Sequence, residues 1–138
     1  MKKMLYVSMF MVAVFFAASA SACGMGEHVD GYENTNVNHA HTHWQAGASS
    51  SVPFMFLDVR TPEEYKAGHI EGAVLLPVQE LEKRLSEVSK EKRVYVYCHS
   101  GKRSAKASNI LADAGFSNIE NVEGGIVAWK TAGYPVVK

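Results

Sequence analysis

Two continuous apolar runs, Pro53-Phe54-Met55-Phe56-Leu57 and the β-branched and aromatic Val94-Tyr95-Val96-Tyr97, alternate in this chain with stretches bounded by helix start and stop residues. Apolar runs without a polar alternate position suit strands that are covered on both faces. Strands separated by helices reach one another through crossovers, which gives parallel pairing. The pattern therefore predicts an α/β fold: an open, mostly parallel five-stranded sheet with helices on both faces. In such sheets function gathers beyond the carboxyl ends of the strands.

Tyr32 to Val37 forms a short edge strand, and a helix follows over 39–46, with Asn38 as cap and Gly47 as stop. The strand Pro53–Leu57 is closed by Asp58-Val59-Arg60. Thr61 then caps a helix, with Pro62 at its first position and Glu64 completing a capping box, and Gly68 ends it. Ala73-Val74-Leu75-Leu76 is a short strand. Pro77 opens a longer helix on which Val78, Leu81, Leu85 and Val88 recur at helical spacing, while Glu80, Glu82, Lys83, Arg84 and Glu87 form a solvated face. Val94–Tyr97 is the central strand, Ser104–Ala114 the helix after it, Asn118–Val122 a further strand and Ile126–Thr131 a short last helix.

A chain of 138 residues, 47% of them hydrophobic, suffices for one domain with a proper core. Residues 1–22 are expected to stand apart from it. Lys2 and Lys3, the apolar stretch from Leu5 to Ala18, and the small residues Ala20-Ser21-Ala22 make a secretory signal, too short to span a bilayer comfortably. Residues 23–31 then read as a tether and 32–138 as the domain, placed outside the cytoplasm. Of 14 basic residues Lys2 and Lys3 leave with the signal, so 12 remain against 14 acidic ones, a net charge of −2 with neutral histidines. A nucleic-acid partner is excluded by the lack of a basic excess.

The two cysteines of an exported chain would ordinarily suggest a disulfide. Cys23, however, follows Ala20-Ser21-Ala22 at the place where a lipoprotein is cut and acylated, although Ala20 stands where such signals usually have Leu. Lipidation would hold the protein on a membrane surface, and ordinary cleavage after Ala20 or Ala22 would release it into the periplasm. Either way Cys98 has no obvious partner. His39, His41 and His43 also have two readings. His39 and His43 share a helix face at a spacing that can hold a metal ion, but no acidic residue close in sequence completes a site, which favours a solvated face.

Cys98 ends the central strand and opens His99-Ser100-Gly101-Lys102-Arg103-Ser104, so its thiol sits on a strand-to-helix turn. The first turn of a helix leaves N–H groups unpaired and carries the positive end of its dipole. A thiolate there, with Lys102 and Arg103 alongside, is expected to be nucleophilic near neutral pH. A buried structural cysteine is the alternative.

Three stretches, in order, make the region from Tyr32 to Val137 resemble a single rhodanese domain. They are Leu57-Asp58-Val59-Arg60 with Glu64 through Ala73, the loop Cys98 through Ser104, and Gly124-Gly125-Ile126-Val127-Ala128-Trp129 with Gly133-Tyr134-Pro135-Val136. The resemblance implies a sulfurtransferase that carries sulfane sulfur as a persulfide on Cys98. The donor would be a small anion such as thiosulfate, and the acceptor cyanide or a thiol, including a protein thiol. It implies no metal or cofactor.

On the loop's own chemistry, Gly101 lets the backbone bend close to the sulfur, and His99, Ser100 and Ser104 complete the turn. Lys102 and Arg103 can supply charge to an anionic donor. Asp58 is read as an orienting group that fixes the backbone and Arg60, because a carboxylate next to a thiolate would raise its pKa. His99 has two readings, proton relay or solvent-facing side chain. His69, Trp129, Tyr95 and Tyr97 are assigned to packing.

The fold also resembles dual-specificity phosphatases and arsenate reductases, whose Cys-to-Arg loop is one residue longer. The six residues from Cys98 to Arg103 match the sulfur-transferring length. A persulfide carrier without turnover, or a binding module, is the alternative of a different class.

Overall fold

The computed structural model describes residues 28–29 and 31–138. The signal segment 1–22, Cys23 and most of the tether 23–31 lie outside the described residues. No helix among the described residues is long and apolar enough to cross a membrane.

Among the described residues six strands form one sheet: β1 (His28–Val29), β2 (Tyr32–Thr35), β3 (Phe54–Asp58), β4 (Val74–Leu75), β5 (Arg93–Tyr97) and β6 (Ile119–Val122), in the order β1-β2-β6-β5-β3-β4. The five strands β2 to β6 are all parallel, as the alternation of elements predicts. The sixth, β1, is a two-residue antiparallel addition at the edge, inside the stretch read as tether. Among the described residues four α-helices accompany the sheet: α1 (Val37–Ala46), α2 (Pro62–Ala67), α3 (Lys102–Asp113) and α4 (Gly125–Thr131).

Side chains on alternate positions of β5 divide the core in two. Val94 and Val96 face one side, where Ala107 and Leu111 of α3 close over them with Leu57, Leu76, Leu81 and Ile119. Tyr95 and Tyr97 face the other, against Ala40 of α1 and Ile126 and Trp129 of α4. Both faces of a parallel sheet are thus covered, and this is why β3 and β5 read as unbroken apolar runs. Trp129 is fully buried and donates its Nε1–H to the Pro135 carbonyl at 2.8 Å, while His69 stacks on Tyr65 with centroids 3.6 Å apart.

Register positions the site. Asp58 of β3 pairs with Tyr97 of β5, so the two strands end at the same level and Asp58 and Cys98 emerge at one edge.

Three local expectations are corrected. The stretch after Pro77 is not one helix but two 3-10 turns, Leu81–Lys83 and Leu85–Glu87. Its backbone bonds reach back three residues, from Arg84 to Leu81 and from Val88 to Leu85, and Arg84 at φ −125° breaks the run. Burial of Val78, Leu81 and Val88 is satisfied by either geometry, and the Val78 N–H is tied to the Val59 carbonyl instead of entering a helix. The cap of α1 is Asn36, whose side chain accepts from the His39 N–H at 2.9 Å. Asn38 lies inside α1 and accepts from the Tyr134 hydroxyl, and β2 stops at Thr35. The capping box of α2 forms as read, with Thr61 and Glu64 each bonding the other's backbone N–H.

Candidate active site

The loop from Cys98 to Gly101 is held from outside by α4. The N–H of Ile126 donates to the Cys98 carbonyl at 2.9 Å and that of Val127 to the His99 carbonyl at 3.2 Å. With its carbonyls drawn outward, the loop is left with N–H groups that turn inward. Gly101, in the left-handed region at φ 104°, makes that turn and serves as the N-cap of α3.

At the centre lies the Cys98 thiol, 1% exposed. It is the floor of a cradle and not a surface thiol. The Gly101 N–H donates to Sγ at 3.1 Å, and the Ser104 hydroxyl lies 3.5 Å from Sγ and 3.0 Å from the Gly101 carbonyl. One hydroxyl proton serves one acceptor at a time, and an anionic sulfur draws it more strongly than a carbonyl. Burial pushes the Cys98 thiol up, yet hydrogen bonds from the Ser104 hydroxyl and from the N–H groups of Ser104, Gly101 and Ser100 outweigh it. The thiol therefore lies below its ordinary value.

Asp58 and Arg60 form a buried pair beside this edge. Arg60 donates Nε–H and Nη2–H to the Asp58 carboxylate at 2.9 and 2.6 Å, and its Nη2 also reaches the Gly68 carbonyl at 2.8 Å. The backbone N–H of Arg60 donates to Asp58 Oδ1 as well. The carboxylate is committed to Arg60, and Arg60 in turn ties β3 to the end of α2. Arg60 also lies 5.6 Å from the centre of the Tyr97 ring.

Arg103 is not left open to solvent anions. Its two Nη groups donate to the two oxygens of Glu64, each at 2.8 Å. Glu64 is thereby held down to about 2, first by these bonds and, against some desolvation, by the Thr61 N–H. Lys102 and the side chains of His99 and Ser100 are exposed. Next to the last two residues, Gly124, Val127, Ala128, Thr131 and Ala132 line a shallow, mostly apolar depression along α4.

The structure thus brings Cys98, Ser100, Gly101 and Ser104 around one sulfur and sets Asp58 and Arg60 behind them. The histidines of α1 are elsewhere. His39 Nε2 lies 3.7 Å from Glu120 and His41 stacks on Tyr134, so the acidic neighbour absent from the local sequence comes from β6. Among the described residues no group of three or more His, Cys, Asp or Glu is arranged to hold a metal ion.

Two contributors to the loop escape the sequence reading. The capping-box pattern accounts for Glu64 fully in local terms, so nothing near it in sequence signals Arg103, 39 residues away. For Gly125 the available signal is the Gly124-Gly125 pair, since two adjacent glycines suit a close approach of two backbones.

Comparison with known proteins fits this geometry. Residues 41–132 match the model of the rhodanese-like domain. The chain is similar to a sulfurtransferase of Allochromatium vinosum, 40% identical over 83 residues that cover 60% of this chain and 78% of that one. It is also similar to the thiosulfate sulfurtransferase PspE of Escherichia coli, 37% identical over 71 residues that cover 50% of this chain and 68% of that one. Among solved structures, a rhodanese-related protein of Thermoplasma volcanium superposes with a TM-score of 0.67 at 35% identity, covering 75% of this chain and 96% of that one.

Proposed function

Because the chain belongs to the rhodanese-like domain family, we propose that it is a sulfurtransferase that moves sulfane sulfur from an anionic donor such as thiosulfate to cyanide or a thiol, through a persulfide on Cys98. The observation that carries this reading is the ring of donors around Sγ, from Ser100, Gly101 and Ser104, which favours a sulfur anion at a buried position without a metal.

The Cys98 thiolate attacks the outer sulfur of thiosulfate. A new S–S bond forms, the S–S bond of the donor breaks, and its electron pair leaves with sulfite. The charge of minus three on the reactants reappears as a persulfide monoanion and a sulfite dianion. The outer sulfur of the persulfide inherits the negative charge and remains within reach of the inward N–H groups. In the second half, cyanide or a thiolate attacks that sulfur, and the departing pair restores the Cys98 thiolate for the same donors to receive. No proton need move in either half with ionised partners, so the scheme asks for no general base, and Asp58 is assigned to orienting Arg60 and the loop edge.

The exposed face of His99 and Ser100 and the apolar depression along α4 offer the approach for an acceptor. The signal-like residues 1–22 favour an exported protein, periplasmic or held at a membrane by a lipid on Cys23.

The test is the intact mass of purified protein before and after thiosulfate, followed by cyanide. A gain of one sulfur atom located at Cys98 and its loss as thiocyanate, repeated over many turnovers, is expected. A single loading with no turnover would instead mark a persulfide carrier, and no loading by any sulfane donor would defeat both readings.

A further inference from the structure

The cations that border the active loop are matched unequally by carboxylates. Arg60 is buried on Asp58, and Arg103 is clasped through both Nη groups by Glu64. Lys102 alone of the three is exposed and in no ion pair among the described residues. Glu64 is fixed in place independently of Arg103. It is the N3 residue of α2, its Oε2 accepts from the Thr61 N–H at 3.1 Å, and its own N–H donates to the Thr61 hydroxyl. A rigid helix start on one side of the loop thus presents a carboxylate to a guanidinium in the first turn of α3, whose N-cap residue donates to Sγ.

Resting on the sulfur-transfer reading above, we propose that Glu64 is a specificity-determining residue: its carboxylate cancels the charge of Arg103 beside the cradle, and the site thereby favours singly charged sulfane donors over doubly charged ones. Arg103 is kept charged first by its bonds to Glu64 and in smaller part by the Cys98 thiolate, so the cation and a donor bound at the sulfur sense one another. Coulomb energy scales with the product of charges. One unit of positive potential restored beside the sulfur therefore acts twice as strongly, in free energy, on a dianion as on a monoanion. The charge of Arg103 reaches the donor only as far as Glu64 leaves it uncancelled, and Glu64 acts through Arg103.

Glu64→Gln isolates the effect because glutamine at N3 still accepts from the N-cap N–H, so the start of α2 is retained. Thiocyanate formation at saturating cyanide is measured with thiosulfate, a dianion, and with methanethiosulfonate, a monoanion. The variant is expected to lower KM roughly threefold for the monoanion and, by the doubled free energy, roughly tenfold for thiosulfate. The ratio of the two KM values then moves in favour of the dianion, and the difference shrinks as ionic strength rises. Arg103→Gln, which leaves the Glu64 charge uncompensated, is expected to move the ratio the opposite way and carries the test if Glu64→Gln folds poorly.

A ratio that stays at its wild-type value in these variants, while they still turn over, overturns the assignment and leaves the sulfur-transfer reading standing. A general loss of activity with both donors in proportion, the signature of a structural clamp, overturns it too. Wild-type protein that neither donor loads overturns the sulfur-transfer reading itself, and the assignment with it.

Discussion

Cys98→Ser is expected to lower thiocyanate formation by about 10^3-fold or more and to abolish the mass gain from thiosulfate. A serine hydroxyl stays protonated at neutral pH, and its oxygen is a poor nucleophile toward sulfur, so the acid-strengthening donors around position 98 have nothing to act on. The same donors suit a serine oxygen, because the Gly101 N–H at 3.1 Å can bond it as it bonds Sγ. The fold should therefore survive, with circular dichroism and melting close to wild type. Retained turnover in the variant would show that the reacting sulfur never resides on this residue.

Gly125→Ala should have the largest effect of any single change that leaves the loop's chemistry untouched. Gly125 has φ +54°, a conformation that costs a side-chain-bearing residue about 1–2 kcal/mol. A Cβ there would also fall against the Cys98 carbonyl oxygen and within 2.6 Å of that of His99. Both neighbours are backbone and cannot rotate away, so overpacking adds about 1–3 kcal/mol. The total of about 3 kcal/mol should lower Tm by more than about 10 °C for a domain of this size. Protein that still folds must push the Cys98 and His99 carbonyls off the Ile126 and Val127 N–H groups, which releases the loop from outside. Loading by thiosulfate should then slow by about tenfold or more, as expected when positioned donors shift. An unchanged melting temperature would mean that α4 does not set the shape of the loop.

How far the sequence speaks for itself depends on how local each feature is. The capping box of Thr61 and Glu64 is legible because its bonds span three residues. The parallel sheet is legible because β3 and β5 need burial on both faces and have the residues for it. The turn at Cys98 announces itself through the end of an apolar strand and Gly101. By contrast, Val78, Leu81, Leu85 and Val88 carry the same spacing whether the chain coils as a helix or as two 3-10 turns, and only Arg84 at φ −125° separates them. Asn36 and Asn38 are equally good caps in sequence, and the end of β2 decides between them.

The site's remaining parts are non-local. Glu64 meets Arg103 and His39 meets Glu120 only after the sheet has set its order. That Cys98 is the buried floor of its cradle also follows from α4 closing over the loop, an element that lies more than twenty residues downstream.

N–H groups and one hydroxyl outweigh burial at Cys98 and bring its thiol below the ordinary value. The rate of alkylation of Cys98 by iodoacetamide, followed against pH on the folded protein, measures this directly. A midpoint below the ordinary thiol value of 9.0 is expected, moving upward in Ser104→Ala as one donor is lost. A midpoint at or above that value, unmoved by the substitution, would instead show that burial wins over the cradle.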